Sequence, residues 1–294
     1  MSTLTADEFV PADAGSDSDQ MPKRRSRRSP VKQILLFALM VLIAIVMLYP
    51  FYFMIDTSLK SNDQFLHGGG HSLASWTALS KALPWGQQMV NSTIVSAAAI
   101  LLILFVSSLA GFSFAKLQFR MSGFVLMGVV AAMLIPVQSI IIPVYVNIAH
   151  LHLLNTYVGA VIVYAALGTP FATFLMTAYY RSIPDELVEA GIVDGLSYAQ
   201  VFRRIALPLS TPALITITVL QFIQIWDDLL VGLLFLQNPQ QRTITVGLGA
   251  LAAGRTTDIP VLMAGSIMSA IPAILVYLVF QRFLINGLTA GIGK

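Results

Sequence analysis

The chain has 294 residues, of which 56% are hydrophobic and 11% charged, and its mean hydropathy is +0.79. Soluble domains carry about 25% charged residues, so the excess apolar surface needs lipid as a second solvent and excludes an ordinary soluble domain. With no cysteine there is neither a disulfide nor a thiolate metal site, and a net charge of +3 matters through its placement rather than its size.

Residues 1–30 differ from the rest. Positions 7–19 are acidic and small, and KRRSRR follows at 23–28. No apolar periodicity runs through the segment, so a disordered basic cytoplasmic tail is predicted, with its charge in water or at lipid headgroups. A nucleic-acid role is set aside because a long apolar run follows at once. That run is too long for a signal-peptide core, and no A-x-A-like site closes it, so it reads as a retained first span.

Uncharged windows long enough to cross a bilayer recur at 34–55, 91–115, 121–149, 157–180, 209–235 and 260–281, the fifth interrupted by Asp227 and Asp228. A span needs about 20 apolar residues, and backbone groups in lipid must pair internally. Nothing alternates with period two over segments of about ten residues, which argues against a barrel. The expected fold is an all-α integral membrane protein with six transmembrane helices, its membrane domain occupying 31–294. Pro50, Pro136, Pro143, Pro170 and Pro272 lie in or beside these windows, and each bends its helix unless neighbours compensate.

Placing the N-terminus in the cytoplasm puts Lys23, Arg24, Arg25, Arg27, Arg28, Lys32, Lys116, Arg120, Arg181, Arg203, Arg204, Arg282 and Lys294 inside, against Lys60, Lys81, Arg242 and Arg255 outside. Thirteen against four fixes the expected orientation, with both termini cytoplasmic in a plasma membrane. The longest outer loop, 57–90, carries HGGGH at 67–71. Three glycines between His67 and His71 oppose the helix that a metal pair at this spacing needs, so a flexible loop is expected. Trp76 and Trp85 suit the outer interface.

The densest internal cluster of charge lies at 182–208, between the fourth and fifth windows: Glu186, Glu189, Asp194, Arg203 and Arg204. Two short helices are predicted. Ser182 can cap the first, Pro184 fits its first turn, and Asp185 and Glu186 favour a helix N-terminus. Asp194-Gly195 is a turn signal. Ser197 to Gln200 matches a capping box, and the second helix is expected to stop at Leu207, before Pro208. Leu187, Ala190, Gly191 and Asp194 share one side of the first helix, nearly smooth. Tyr198, Val201, Phe202 and Ile205 form an apolar stripe on the second, with Arg203 and Arg204 off it. The pattern fits an elbow plugged into a cytoplasmic partner, or an amphipathic hairpin on the inner leaflet.

The order of residues favours the elbow. EAGIVDG, followed by Phe202, Ile205, Leu207-Pro208 and Pro212, resembles the EAA loop of binding-protein-dependent ABC importer permeases. Glu189-Ala190 and Asp194-Gly195 are in register, and Gly191 stands where alanine is usual. MLIPVQSIIIPVY at 133–145, LNTYVGAVI at 154–162, RSIPDELVEA at 181–190, WDD at 226–228 and NGLTAGIGK at 286–294 resemble the carbohydrate-importer branch, and within it the six-span maltose-type permease.

The resemblance implies a type I ABC importer permease architecture with a cytoplasmic coupling-helix loop. Glu189, Ala190, Gly191, Asp194, Gly195, Phe202, Ile205 and Pro208 are then the residues coupled to an ATPase. It also implies a second, unlike permease subunit, two ATPase subunits and an extracytoplasmic solute-binding protein. The chain has no G-x-x-x-x-G-K-[ST], and its terminal GIGK has only part of that spacing, so no cofactor is expected on it. ATP and Mg belong to the partner ATPase subunits, and the chain is not expected to be an enzyme.

Gln221, Gln224, Trp226, Asp227 and Asp228 are the candidate lining of a sugar pathway, since intramembrane carboxylates tend to face a cavity. The alternative is that residues 209–226, about 27 Å of helix, complete the fifth span and the two aspartates mark its end. Asn91 reads as a cap or packing residue. A non-sugar cargo keeps the same class. An ion-coupled transporter would rest on Asp227-Asp228, without any repeat to support it. A membrane enzyme would need groups that His67, His71, His150 and His152, in or beside outer segments, do not bring together.

Overall fold

The computed structural model describes residues 30–117, 119–254 and 258–289. Nearly all of the expected basic tail, and the last five residues of NGLTAGIGK, lie outside them. Among the described residues every regular element is helical. The chain divides into two units at Pro50. In the first, residues 31 and 33–50 belong to α1 (Pro30–Ser58) and are exposed throughout, apolar on every side. A helix hydrophobic all round requires lipid or another helix about it.

The second unit, from Phe51 onward, is built on α4 (Trp85–Lys116) and α7 (Tyr157–Ser182), which lie against each other along most of their length. Small residues allow the approach. A Cβ on Gly111 would lie 2.6 Å from that of Met176, and one on Gly168 would lie 2.6 Å from Ile103 Cδ1. Around the pair run α5 (Ser122–Ala132), α6 (Val137–His150), α11 (Thr211–Trp226) and α13 (Ile244–Ala252), and α14 (Ile259–Thr289) packs on α11. The 57–90 segment is more ordered than a flexible loop. It contains α2 (Asn62–His67) and α3 (Ala74–Ala82), with Gly68 at φ 84° ending α2. His67 pairs with Asp63 at 2.9 Å and His71 with Asp56 at 2.8 Å, each histidine on its own carboxylate.

Among the described residues four helices are long and apolar enough to span: Gln33–Ser58, Trp85–Lys116, Tyr157–Ser182 and Ile259–Phe283. Two bent pairs bring the total to six. The window at 121–149 is not one helix. It breaks between α5 and α6 with a 98° bend at Met133–Pro136, where Pro136 has no N–H to donate and is itself extended (φ −66°, ψ 134°) ahead of α6. Pro50, Pro143, Pro170 and Pro272 stay inside their helices. The fifth window is also redrawn. α11 stops at Trp226, α12 (Leu230–Phe235) is separate, and α11 joins the preceding helix through a 70° bend.

Candidate functional site

The two-helix elbow is built from local signals. α8 (Asp185–Val193) carries Asp185 and Glu186 in its first turn, where the helix dipole favours them. Pro184 stands at the N-cap position. Ser182 does not cap α8: its hydroxyl donates to the Tyr179 carbonyl at 2.7 Å and finishes α7. The C-terminus of α8 is a Schellman turn. Leu196 N–H donates to the Gly191 carbonyl at 3.0 Å and Gly195 N–H to Ile192 at 2.9 Å, with Gly195 at φ 84°. The capping box is formed on both sides of Ser197: Gln200 N–H donates to Ser197 Oγ, and Ser197 N–H donates to Gln200 Oε1 at 2.8 Å.

The second helix of the elbow passes the expected stop at Leu207. α9 (Tyr198–Val201) opens into a π turn, Phe202–Ala206, in which Leu207 N–H reaches the Phe202 carbonyl. The wider ladder admits Pro208 in α10 (Leu207–Leu209), and the bend follows at Ser210.

The faces are divided differently from the sequence pattern. Gly191 is buried inside the elbow, and a Cβ there would lie 3.0 Å from Ile205 Cδ1 and 3.1 Å from Val201 Cγ2. Its smallness serves packing between the two helices, not approach of an outside surface. Phe202 and Ile205 are half-buried, and Phe202 sits 5.2 Å from the Phe112 ring and 6.5 Å from Tyr180, rooting the elbow on α4 and α7. The outward surface is Glu186, Leu187, Glu189, Ala190, Val193, Asp194, Gly195 and Pro208, with Arg203 and Arg204 beside it.

Lys116 completes the elbow, although in the sequence it counted only towards orientation. Its side chain is 4% exposed, and its ammonium donates to the Ile183 carbonyl at 2.5 Å and to Asp185 Oδ1 at 2.6 Å. A cleft of about 460 Å³ opens beside it, lined by Ala115, Leu117, Val188, Glu189 and Tyr198.

A second site lies among α6, α7, α11 and α12. Gln138, Tyr164, Gln221, Gln224 and Asp228 line a cavity of about 170 Å³ floored by Gly168. A Cβ on Gly168 would fall 2.5 Å from Gln221 Oε1, so the glycine makes room for that amide. Asp228 Oδ1 accepts from the Tyr164 hydroxyl at 2.9 Å and from Val231 N–H at 2.8 Å, capping α12.

The structure thus brings together Gln221, Gln224 and Asp228 but not their two neighbours. Trp226 is buried, stacks on Phe222 at 5.1 Å and donates its indole N–H to the Ser269 carbonyl at 2.9 Å, tying α11 to α14. Asp227 is exposed at the end of α11 and outside the cavity. Gln138 and Tyr164 carry no signal of their own in the sequence. Gln138 stood only within a motif, and nothing in the sequence aligns Tyr164 with residues 57–64 positions away.

A bundle of apolar spans bearing an exposed two-helix elbow, with a polar cavity between its helices, defines a multi-pass membrane permease. The chain belongs to the family of binding-protein-dependent transport system inner membrane components, whose model matches residues 107–286. It is similar to a probable ABC transporter permease of Pyrococcus horikoshii, 33% identical, covering 84% of this chain and 92% of that one. It is also similar to MalG, the trehalose/maltose transport system permease of Thermococcus litoralis, 30% identical over 90% of this chain and 98% of the relative. A crystal structure of a bacterial ABC transporter involved in alginate import shares the fold, with TM-score 0.76 at 23% identity, covering 87% of this chain and 98% of that one. The chain is therefore a permease subunit of a binding-protein-dependent ABC importer and not itself an enzyme.

Proposed function

We propose that this permease forms half of the pathway for a sugar, a di- or oligosaccharide, handed over by an extracytoplasmic solute-binding protein. A second, unlike permease subunit supplies the other half. Two ATPase subunits bind ATP and Mg, and one of them receives the elbow. The lysine and arginine distribution supports an orientation in which both termini and the elbow face the cytoplasm.

The elbow carries the reading. Its shape is fixed from within by Gly191, Val201 and Ile205, while Glu189, Ala190, Asp194 and Gly195 remain on the outside for a partner. The ion-coupled alternative has less support from Asp228, whose Oδ1 accepts from Tyr164 and from the first turn of α12. Sugar is supported by the trehalose/maltose relative and by a cavity lined with amides and a phenol rather than with unpaired charge. At about 170 Å³ the cavity is smaller than the roughly 300 Å³ or more of a complete small-molecule pocket, as expected of half a pathway.

Co-purification tests the reading. The tagged chain, expressed with its chromosomal neighbours and extracted gently, is expected to bring one second permease and two ATPase copies. The reconstituted assembly is expected to take up trehalose or maltose only with ATP and the binding protein. A chain that purifies alone and transports without ATP overturns it.

A further inference from the structure

α4 is held by polar contacts at both ends. At its C-terminus the Lys116 ammonium spans the joint on which the elbow turns, since Ile183 lies between α7 and α8 and Asp185 opens α8. A lysine at the end of a membrane helix ordinarily carries its charge out to water. The Lys116 side chain is instead 4% exposed and gives its donors to two protein acceptors, one of them the largely exposed Asp185. α7 runs into the elbow through the chain, but α4 reaches Asp185 only across 69 residues of sequence, so the ammonium supplies a link that the backbone does not.

Near the other end of α4, Asn91 is fully buried. Its amide N–H groups donate to the Gln240 and Arg242 carbonyls, each at 2.9 Å, and its oxygen accepts from the Tyr157 hydroxyl at 2.8 Å. Ser92 Oγ accepts the Ile244 N–H at 2.9 Å. The 240–244 turn is thereby fastened to α4. About 38 Å of continuous helix separates Asn91 from Lys116 at 1.5 Å per residue. Between the two anchors Gly111 presses on Met176, so α4 has little room to slide along α7. A close-packed helix fixed at both ends moves as a body, and rigid elements of this kind carry coupling between distant sites.

We propose that Lys116 is a positioning residue that makes α4 a rod, carrying displacement of the elbow to the 240–244 turn at the opposite end of the bundle, and carrying binding-protein docking there back to the elbow. This inference rests on the importer reading above. Because coupling is reciprocal, breaking the rod at Lys116 impairs both directions together.

The test uses the complete transporter in proteoliposomes, with Lys116→Met, Lys116→Arg and Asn91→Leu in this chain. Three quantities are read: ATPase copies recovered with the tag, the ratio of ATPase rates with and without loaded binding protein, and the change in binding-protein affinity on adding ATP. In Lys116→Met, full ATPase recovery with both the stimulation ratio and the affinity change reduced roughly tenfold supports the rod. Recovery of both in Lys116→Arg, and the same double loss in Asn91→Leu, are also expected. Lys116→Met that keeps both quantities within about twofold of wild type overturns it. So does Lys116→Met that fails to retain the ATPase, since Lys116 then only maintains the docking surface. A wild-type chain that recovers no ATPase overturns the importer reading, whereas a wild-type complex that couples beside an equally coupled Lys116→Met complex overturns the rod alone.

Discussion

In the elbow, Glu186, Glu189, Asp194, Arg203 and Arg204 point outward, and the shape is held by contacts among residues 182–208 and a few aromatic neighbours. In the cavity the polar groups point inward, and they come from three helices and the link before α12, which meet only in the folded bundle. The elbow is a rigid handle whose outside is available to another protein. The cavity is a lined space whose inside is available to a small solute. On the proposed reading, damage to the first should separate the permease from an ATPase partner, and damage to the second should change how cargo is handled while that partner stays attached.

The largest effect belongs to Gly191. Arginine there has to displace Val201 and Ile205, which would lie 3.0–3.1 Å from even a Cβ. Gly191→Arg is expected to abolish uptake and ATPase recovery while the chain still inserts in the membrane, read by uptake and pull-down. Gly191→Ala needs Ile205 Cδ1 and Val201 Cγ2 to give by only a few tenths of an ångström, set against about 1 kcal/mol of gained helix propensity, so it should transport normally. An active Gly191→Arg removes the internal packing role.

Asp228 comes next. Asp228→Ala leaves the Tyr164 hydroxyl and the first N–H groups of α12 without their acceptor, at a cost of about 1–3 kcal/mol. A lower thermal midpoint in detergent and reduced uptake are expected, with ATPase recovery unchanged. Gln224→Ala tests the cavity more gently. It lines the space and is exposed to it, so the half-saturating sugar concentration should rise about threefold to tenfold, on the scale of one lost hydrogen bond, with little change in stability. Loss of ATPase recovery in either variant would mean that the two regions are not separable in this way.

The same contrast explains what the sequence makes legible. The Schellman turn at Gly195 and the capping box at Ser197 join residues three to five apart, and such signals survive in a linear string. So do apolar windows, because lipid imposes them residue by residue. The 98° break at Pro136 is visible as a proline but not as an angle, since Pro143, in the same window, leaves its helix whole. Which side of α8 faces outward depends on Val201 and Ile205 arriving from the next helix, so spacing within α8 alone does not show that Gly191 faces inward. The cavity is legible only in part. Gln221, Gln224 and Asp228 stand close together in α11 and just beyond it, whereas Gln138 and Tyr164 join them through tertiary packing. Lys116 needs a partner 69 residues away to reveal what it does.

Asp227 gives the smallest and sharpest test. It is adjacent in sequence to Asp228, and the two look equivalent in a hydropathy plot. In the structure its neighbour is taken up by Tyr164 and α12, while Asp227 lies at the end of α11, exposed and off the cavity wall. An exposed carboxylate at a helix C-terminus meets the unfavourable end of the dipole, worth at most about 1 kcal/mol. Asp227→Asn removes that charge while keeping the side-chain size. Uptake rate and half-saturating concentration within about twofold of wild type, with a thermal midpoint equal or slightly raised, are the expected results. A large rise in the half-saturating concentration, unaccompanied by instability, would move the sugar path from the Gln221 side of α11 to its end, and Asp227 would then belong to the pathway in place of Gln224.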